Sequence, residues 1–167
     1  MLFRSQQKVD GIAISVLNAE FLTSTIDKAV DAGIPVMGHI GLTPQSVHRF
    51  GGYKIQGRDK DRRESVMRDA LAVEEAGAFS VVLEGMPLEL AREITERLTI
   101  PTIGIGAGVH CDGQVLVVHD MLGLFDDFTP KFVKQYADLK TAMSGAVKAF
   151  IGEVKERKFP AEEHSFK

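Results

Sequence analysis

The sequence predicts an α/β protein whose strands lie in one parallel sheet. Short apolar runs at 35–40, 79–83 and 102–105 each carry distinctive residues at their C-terminal ends: His39 and Gly41, Glu84, and the glycines of Gly106-Ala107-Gly108. Helical patterns follow at least two of these runs, so strands alternate with helices as in consecutive βα units. Right-handed crossovers make such strands parallel and gather their C-terminal ends on one side, where chemistry is done in these folds. His39, Glu84 and the loop 104–108 are therefore predicted neighbours in space.

Each element has its own warrant. Residues 11–16 (GIAISV) are rich in β-branched side chains and read as a strand. Phe21, Leu22, Thr25, Ile26, Ala29 and Val30 recur at helical spacing, and Gly33 stands where a helix stops. After the strand at 35–40, the segment 41–58 has no strong period and contains Pro44, Gly51, Gly52 and Gly57, which predicts a long loop of functional type or a disordered one. Val66, Met67, Ala70, Leu71 and Val73 define a helix face between 59 and 76, closed by Gly77. A strand at 79–83 leads to a helix at 87–98 with Pro87 in its first turn. Strands are predicted at 102–105 and 114–118, then a long helical stretch carrying Phe132, Val133, Tyr136, Met143, Val147, Phe150, Ile151 and Val154. The tail at 156–167 is polar and reads as irregular. No linker divides the chain, so 1–167 reads as a single domain of about five strands. A complete eight-stranded barrel takes ~250 residues, so the pattern fits part of a barrel or a small open sheet.

Composition bounds the function. A charged fraction of 26% beside 44% hydrophobic residues is that of an ordinary globular protein. The net charge of −3 argues against nucleic acid as a partner, and the basic residues Lys60, Arg62 and Arg63 alternate with Asp59, Asp61 and Glu64. No apolar run approaches the ~20 residues of a membrane span, and residues 1–7 lack the apolar centre of a signal peptide. The single cysteine, Cys111, excludes an internal disulfide and fits a reducing compartment. A cytoplasmic location is expected.

Glu84 is the sharpest candidate for chemistry. Desolvation makes a carboxylate at a partly dry strand end a better proton acceptor, which suits a general base; capping the helix after Pro87 or facing solvent is the alternative. His39 lies between Gly38 and Gly41, where small neighbours admit a ligand, and imidazole can donate to a substrate or carry a proton. A core histidine bonded to a backbone carbonyl is the alternative there. Gly104 and Gly106 are candidates for close substrate approach, or else serve a tight turn and strand packing. The spacing of this loop is not that of a dinucleotide fingerprint. Asp112-Gly113 reads as a turn, and His119-Asp120 ends the last predicted strand. No cluster has metal-ligand spacing, and no nucleophile elbow is present.

At these residues the chain resembles the ketopantoate hydroxymethyltransferases. The resemblance rests on GHIGLTPQSV from Gly38, FGGYKIQGR from Phe50, VVLEGMP from Val81, IPTIGIGAG from Ile100, DGQVLVVHD from Asp112 and EEHSF from Glu162, in order and in register over about 33–167. It implies a (β/α)8 TIM barrel, here a partial barrel of about five parallel strands. The implied reaction transfers a hydroxymethyl group from 5,10-methylenetetrahydrofolate to 3-methyl-2-oxobutanoate, giving 2-dehydropantoate for pantothenate biosynthesis. In the family Mg2+ chelates the keto acid, a glutamate at the position of Glu84 takes the proton from C3, and a histidine at the position of His39 lies close to the substrate. The 50–58 loop would lie near the mouth of the site. The family also forms large homo-oligomers, and open sheet edges give a physical reason to expect self-association.

The departures are at the start. Family members carry about a hundred further N-terminal residues, in keeping with a whole barrel, and that part holds the first metal-binding carboxylates. Aligned backwards from Gly33, Ser15 and Leu17 stand where the family has a substrate lysine and a further metal ligand, with Glu20 nearby. Three readings follow: a hydroxymethyltransferase truncated or divergent at its start, an inactive relative acting as an oligomeric scaffold, or another 2-oxo-acid lyase or transferase of the same barrel superfamily. Activity well below that of a complete enzyme is expected from a chain without those ligands.

Overall fold

The computed structural model describes residues 10–15, 19–43, 52, 54–125 and 127–166. Its internal contacts group the chain into two compact units, Met1–Val115 and Leu116–Lys167, where the sequence predicts one domain over 1–167.

The first unit holds a five-stranded parallel sheet. Its strands are β1 (Ile12–Ser15), β2 (Val36–Gly41), β3 (Ser80–Glu84), β4 (Thr102–Ile105) and β5 (Gly113–Gln114), and α1 (Ala19–Asp31), α2 (Lys60–Glu75) and α3 (Leu88–Arg97) alternate with the first four. Spatial order follows chain order, β1-β2-β3-β4-β5, and every pairing is parallel. Val16, the last residue of the first predicted strand, lies outside the described residues.

Local signals set the helix ends. The Asp59 carboxylate accepts from the Arg62 amide at 2.9 Å and starts α2. Gly33 and Gly77 follow α1 and α2 with φ of 73° and 84°, a conformation that only glycine adopts without cost. Pro87 sits at the N-cap of α3, one residue before the turn predicted for it.

Residues alternate across each strand. Val36, Ile40, Val81 and Leu83 are buried with Val66, Ala70 and Val73 of α2, Leu90, Ala91 and Ile94 of α3, and Ile26 and Ala29 of α1. All three helices therefore cover one face of the sheet. Gly38 is part of this packing, since a Cβ there would run into Val73. Each fully buried leucine or isoleucine contributes roughly 1.5–3 kcal/mol. The Glu74 carboxylate adds a polar clip, accepting from the Thr99 amide and hydroxyl and the Ile100 amide at 2.6, 2.8 and 3.1 Å. The opposite face presents Met37, His39, Val82, Glu84, Ile103 and Ile105, all half-buried. A sequential parallel sheet with helices on one face is the winding of a barrel, not of a doubly wound sheet.

The predicted strand at 114–118 is shorter than its apolar residues suggest. Only Gly113 and Gln114 join the ladder, with the Val115 amide making one more bond to the Gly104 carbonyl at 3.0 Å. Beyond it the chain turns into α4 (Val118–Met121) of the second unit.

Within that second unit the predicted long helix begins late, as α5 (Leu139–Lys155). Asp138 starts it by accepting from the Thr141 amide at 3.1 Å, while the amides of Tyr136 and Leu139 bond the carbonyls of Met121 and Leu122. These ties hold Phe132, Val133 and Tyr136 out of the helix. The polar tail is more regular than predicted: Glu162–His164 form a 3-10 turn, and Phe159 packs between Phe150 and His164 with centroids 5.5 and 5.1 Å away. Among the described residues no helix is long and apolar enough to cross a membrane.

Candidate active site

Glu84 is the last residue of β3 and His39 the fourth of β2. In the parallel register His39 pairs with Val82 and Gly41 with Glu84, so His39 and Glu84 lie on a diagonal of the face opposite α1, α2 and α3. Diagonal neighbours are within reach of long side chains. The imidazole Nε2 lies 2.8 Å from Glu84 Oε2, with the two side chains 21% and 19% exposed. Neither is a core residue, and neither stands free in solvent. A pairing across 45 positions of sequence thus sets a carboxylate and an imidazole together beside the apolar side chains of Met37, Val82, Ile103 and Ile105.

Main-chain bonds hold the end of β3. The Leu42 amide donates to the Glu84 carbonyl at 2.8 Å, the Gln56 amide to the Gly85 carbonyl at 2.8 Å, and the Gly85 amide to the Ile105 carbonyl at 2.9 Å. Gln56 is buried, and its side chain donates to the Lys54 carbonyl, shaping the described part of the 50–58 loop against the strand end. The roles of Leu42 and Gln56 escape a sequence reading because they act through backbone groups. Gly57, with φ of 80°, is the one local signal of that turn.

Ile105 pairs with Glu84, so Gly106 follows at the same end of the sheet, with φ of 63°. Gly104 is on the helix-covered side, where a Cβ would come within 2.9 Å of Cys111 Sγ and 3.0 Å of Gln114 Nε2. Burial pushes the Cys111 thiol up. Asp112 is at the other end of β4. It accepts from the Thr102 amide and hydroxyl at 2.8 and 3.0 Å, and these bonds hold its carboxyl below the usual range. His119 and Asp120 lie in α4 of the second unit.

Ser15 pairs with His39 in the β1–β2 register, and Glu20 lies in α1, but neither side chain is described. Leu17 falls outside the described residues. Magnesium needs oxygen ligands, usually carboxylates, in near-octahedral array. Among the described residues no group of three His, Cys, Asp or Glu comes together, and the Glu84 carboxylate is engaged by His39. The described residues do not compose a Mg2+ site.

Fold and site together define an α/β protein of barrel winding, with a carboxylate–imidazole pair at the C-terminal end of its sheet. The chain belongs to the ketopantoate hydroxymethyltransferase family, matching it over residues 3–162. That match begins well before the span near residue 33 that the motifs mark out. It is 59% identical over 154 residues to the 3-methyl-2-oxobutanoate hydroxymethyltransferase of Geobacter sulfurreducens, covering 92% of this chain and 58% of that protein. The enzyme of the same name from Geotalea uraniireducens is 61% identical over 145 residues, covering 87% of this chain and 54% of that one. For Trichlorobacter lovleyi the figures are 56% over 163 residues, 98% and 61%. The chain thus spans about three-fifths of the length of these curated relatives. Among solved structures, the YdjI aldolase of Escherichia coli K12 shows 16% identity and a TM-score of 0.40, over 67% of this chain and 46% of that one.

Proposed function

We propose that this chain serves the reaction its relatives are named for, the hydroxymethylation of 3-methyl-2-oxobutanoate to 2-dehydropantoate with 5,10-methylenetetrahydrofolate as one-carbon donor. Glu84 is the general base that removes the proton from C3, leaving an enolate to attack the one-carbon unit. The observation that carries this reading is the state of the carboxylate. Oε2 is held by His39, while Oε1 has no partner among the described residues, and the carboxylate stands on the sheet face opposite α1, α2 and α3. A half-buried, oriented carboxylate is what proton abstraction from carbon requires.

The surrounding residues support the role. Met37, Val82, Ile103 and Ile105 put apolar side chains on the same face, suited to the isopropyl group of a branched keto acid and to limiting water around the base. The ties from Leu42 and Gln56 fix the two successive peptides that follow Glu84, Glu84–Gly85 and Gly85–Met86. The test is deuterium exchange at C3 of 3-methyl-2-oxobutanoate in D2O, followed by proton NMR, with and without Mg2+. This isolates enolisation from the folate step. Exchange above the uncatalysed rate supports the reading; its absence under both conditions overturns it for this chain.

A further inference from the structure

Resting on Glu84 as the base, we propose that His39 acts through Glu84 as its positioning residue and that Oε1 is the oxygen that takes the proton. An ionised carboxylate has no hydrogen to give, so the 2.8 Å contact requires Nε2–H to donate to Oε2. That nitrogen is committed to Glu84 and cannot also donate to a bound keto acid. Oε2 is correspondingly occupied, and Oε1, without a partner among the described residues, is the oxygen available to a C–H bond.

The backbone is built for this contact. The residue directly opposite Glu84 is Gly41, with φ of 92°, and a Cβ there would overlap the Glu84 carbonyl oxygen. The glycine thus lets the ends of β2 and β3 approach closely, and the imidazole two residues earlier reaches the carboxylate across that pairing. The arrangement resembles in logic a catalytic base oriented by a third group, with the carboxylate as the base and the imidazole as the orienter. The chemical balance is simple. The C3–H bond breaks, its electron pair remains on the substrate as the enolate, and the proton resides on Oε1 while the Nε2–H to Oε2 bond persists.

The test compares His39→Leu, which removes the donor, with His39→Gln, whose amide nitrogen stands near the position of Nε2. The probe is 3-methyl-2-oxobutanoate alone, followed by C3 deuterium exchange with the full chain. His39→Leu is expected to lower the maximal exchange rate by about 10²-fold, the size of effect that misplacing a reacting group produces, with KM little changed. His39→Gln is expected to recover most of the loss. A raised KM with an unchanged maximal rate would make His39 a substrate ligand and overturn the proposal, as would failure of the glutamine to rescue. An unaffected His39→Leu in a chain that does exchange overturns this proposal alone, whereas no exchange by the unaltered chain overturns the Glu84 reading and this one with it. A second readout needs no turnover: in 15N-labelled protein the His39 Nε2 proton is expected to exchange slowly with water, and rapidly in Glu84→Ala. Rapid exchange in the unaltered chain would overturn the assignment.

Discussion

Gly41 and Glu84 face each other across the β2–β3 pairing, and the glycine's missing side chain is what lets the two backbones meet. Its φ of 92° is left-handed, and its neighbour Leu42 donates to the Glu84 carbonyl at 2.8 Å. An alanine at 41 would carry a left-handed cost of about 1–2 kcal/mol and overlap that carbonyl oxygen. Gly41→Ala is expected to lower stability by at least that amount in urea titration and to reduce C3 exchange as well. Native-like stability with full exchange would show that the close approach is dispensable.

Glu84→Gln retains size and shape but cannot accept the proton. The expected outcome is a loss of ~10²–10⁴-fold in C3 exchange with an unchanged circular dichroism spectrum. Exchange within a few-fold of the unaltered chain would assign the base to another residue.

The core that supports the site is expected to respond to truncation as close-packed interiors do. Leu83 and Ile94 are fully buried between β3 and α3. Leu83→Ala should cost about 2–5 kcal/mol, read from the denaturation midpoint. A cost under about 1 kcal/mol would mean that the strand is not packed as described.

Asp112 supplies a pH signature. Its carboxyl is held below the ordinary value by the Thr102 amide and hydroxyl, so its contribution to stability is present above the unfolded value of about 3.9 and is lost as pH falls through the lower folded value. Asp112→Asn is expected to have a lower Tm than the unaltered chain at pH 6, with the gap closing as the pH is brought below 4. A gap independent of pH would mean that the ionised carboxylate is not what Thr102 recognises.

Self-association is expected from exposed apolar surface in the second unit. Met143, Val147, Phe150, Ile151 and Val154 all lie exposed along α5 at helical spacing. Light scattering at micromolar concentration is expected to give a mass above that of one chain, and Ile151→Lys to reduce it. A stable monomer would refute this.

By itself the sequence determined the alternation of strands and helices, four of the five strands to within a residue or so where they are described, and the glycines that end α1 and α2. These are local matters, set by side-chain periodicity and by a positive φ that one residue type tolerates. It also marked Glu84 and His39, because a charged or imidazole group at the end of an apolar run is conspicuous without any partner in view. Tertiary structure alone decided that all three helices share one face, which follows from the order of strands in the sheet. It cut β5 to two residues, since strand length depends on a neighbour to bond with, and it delayed α5 to Leu139 because main-chain ties to Met121 and Leu122 outcompete an apolar pattern. Above all it set the 2.8 Å contact between His39 and Glu84. That contact depends on parallel register, and register is fixed by burial and pairing between strands far apart in the chain.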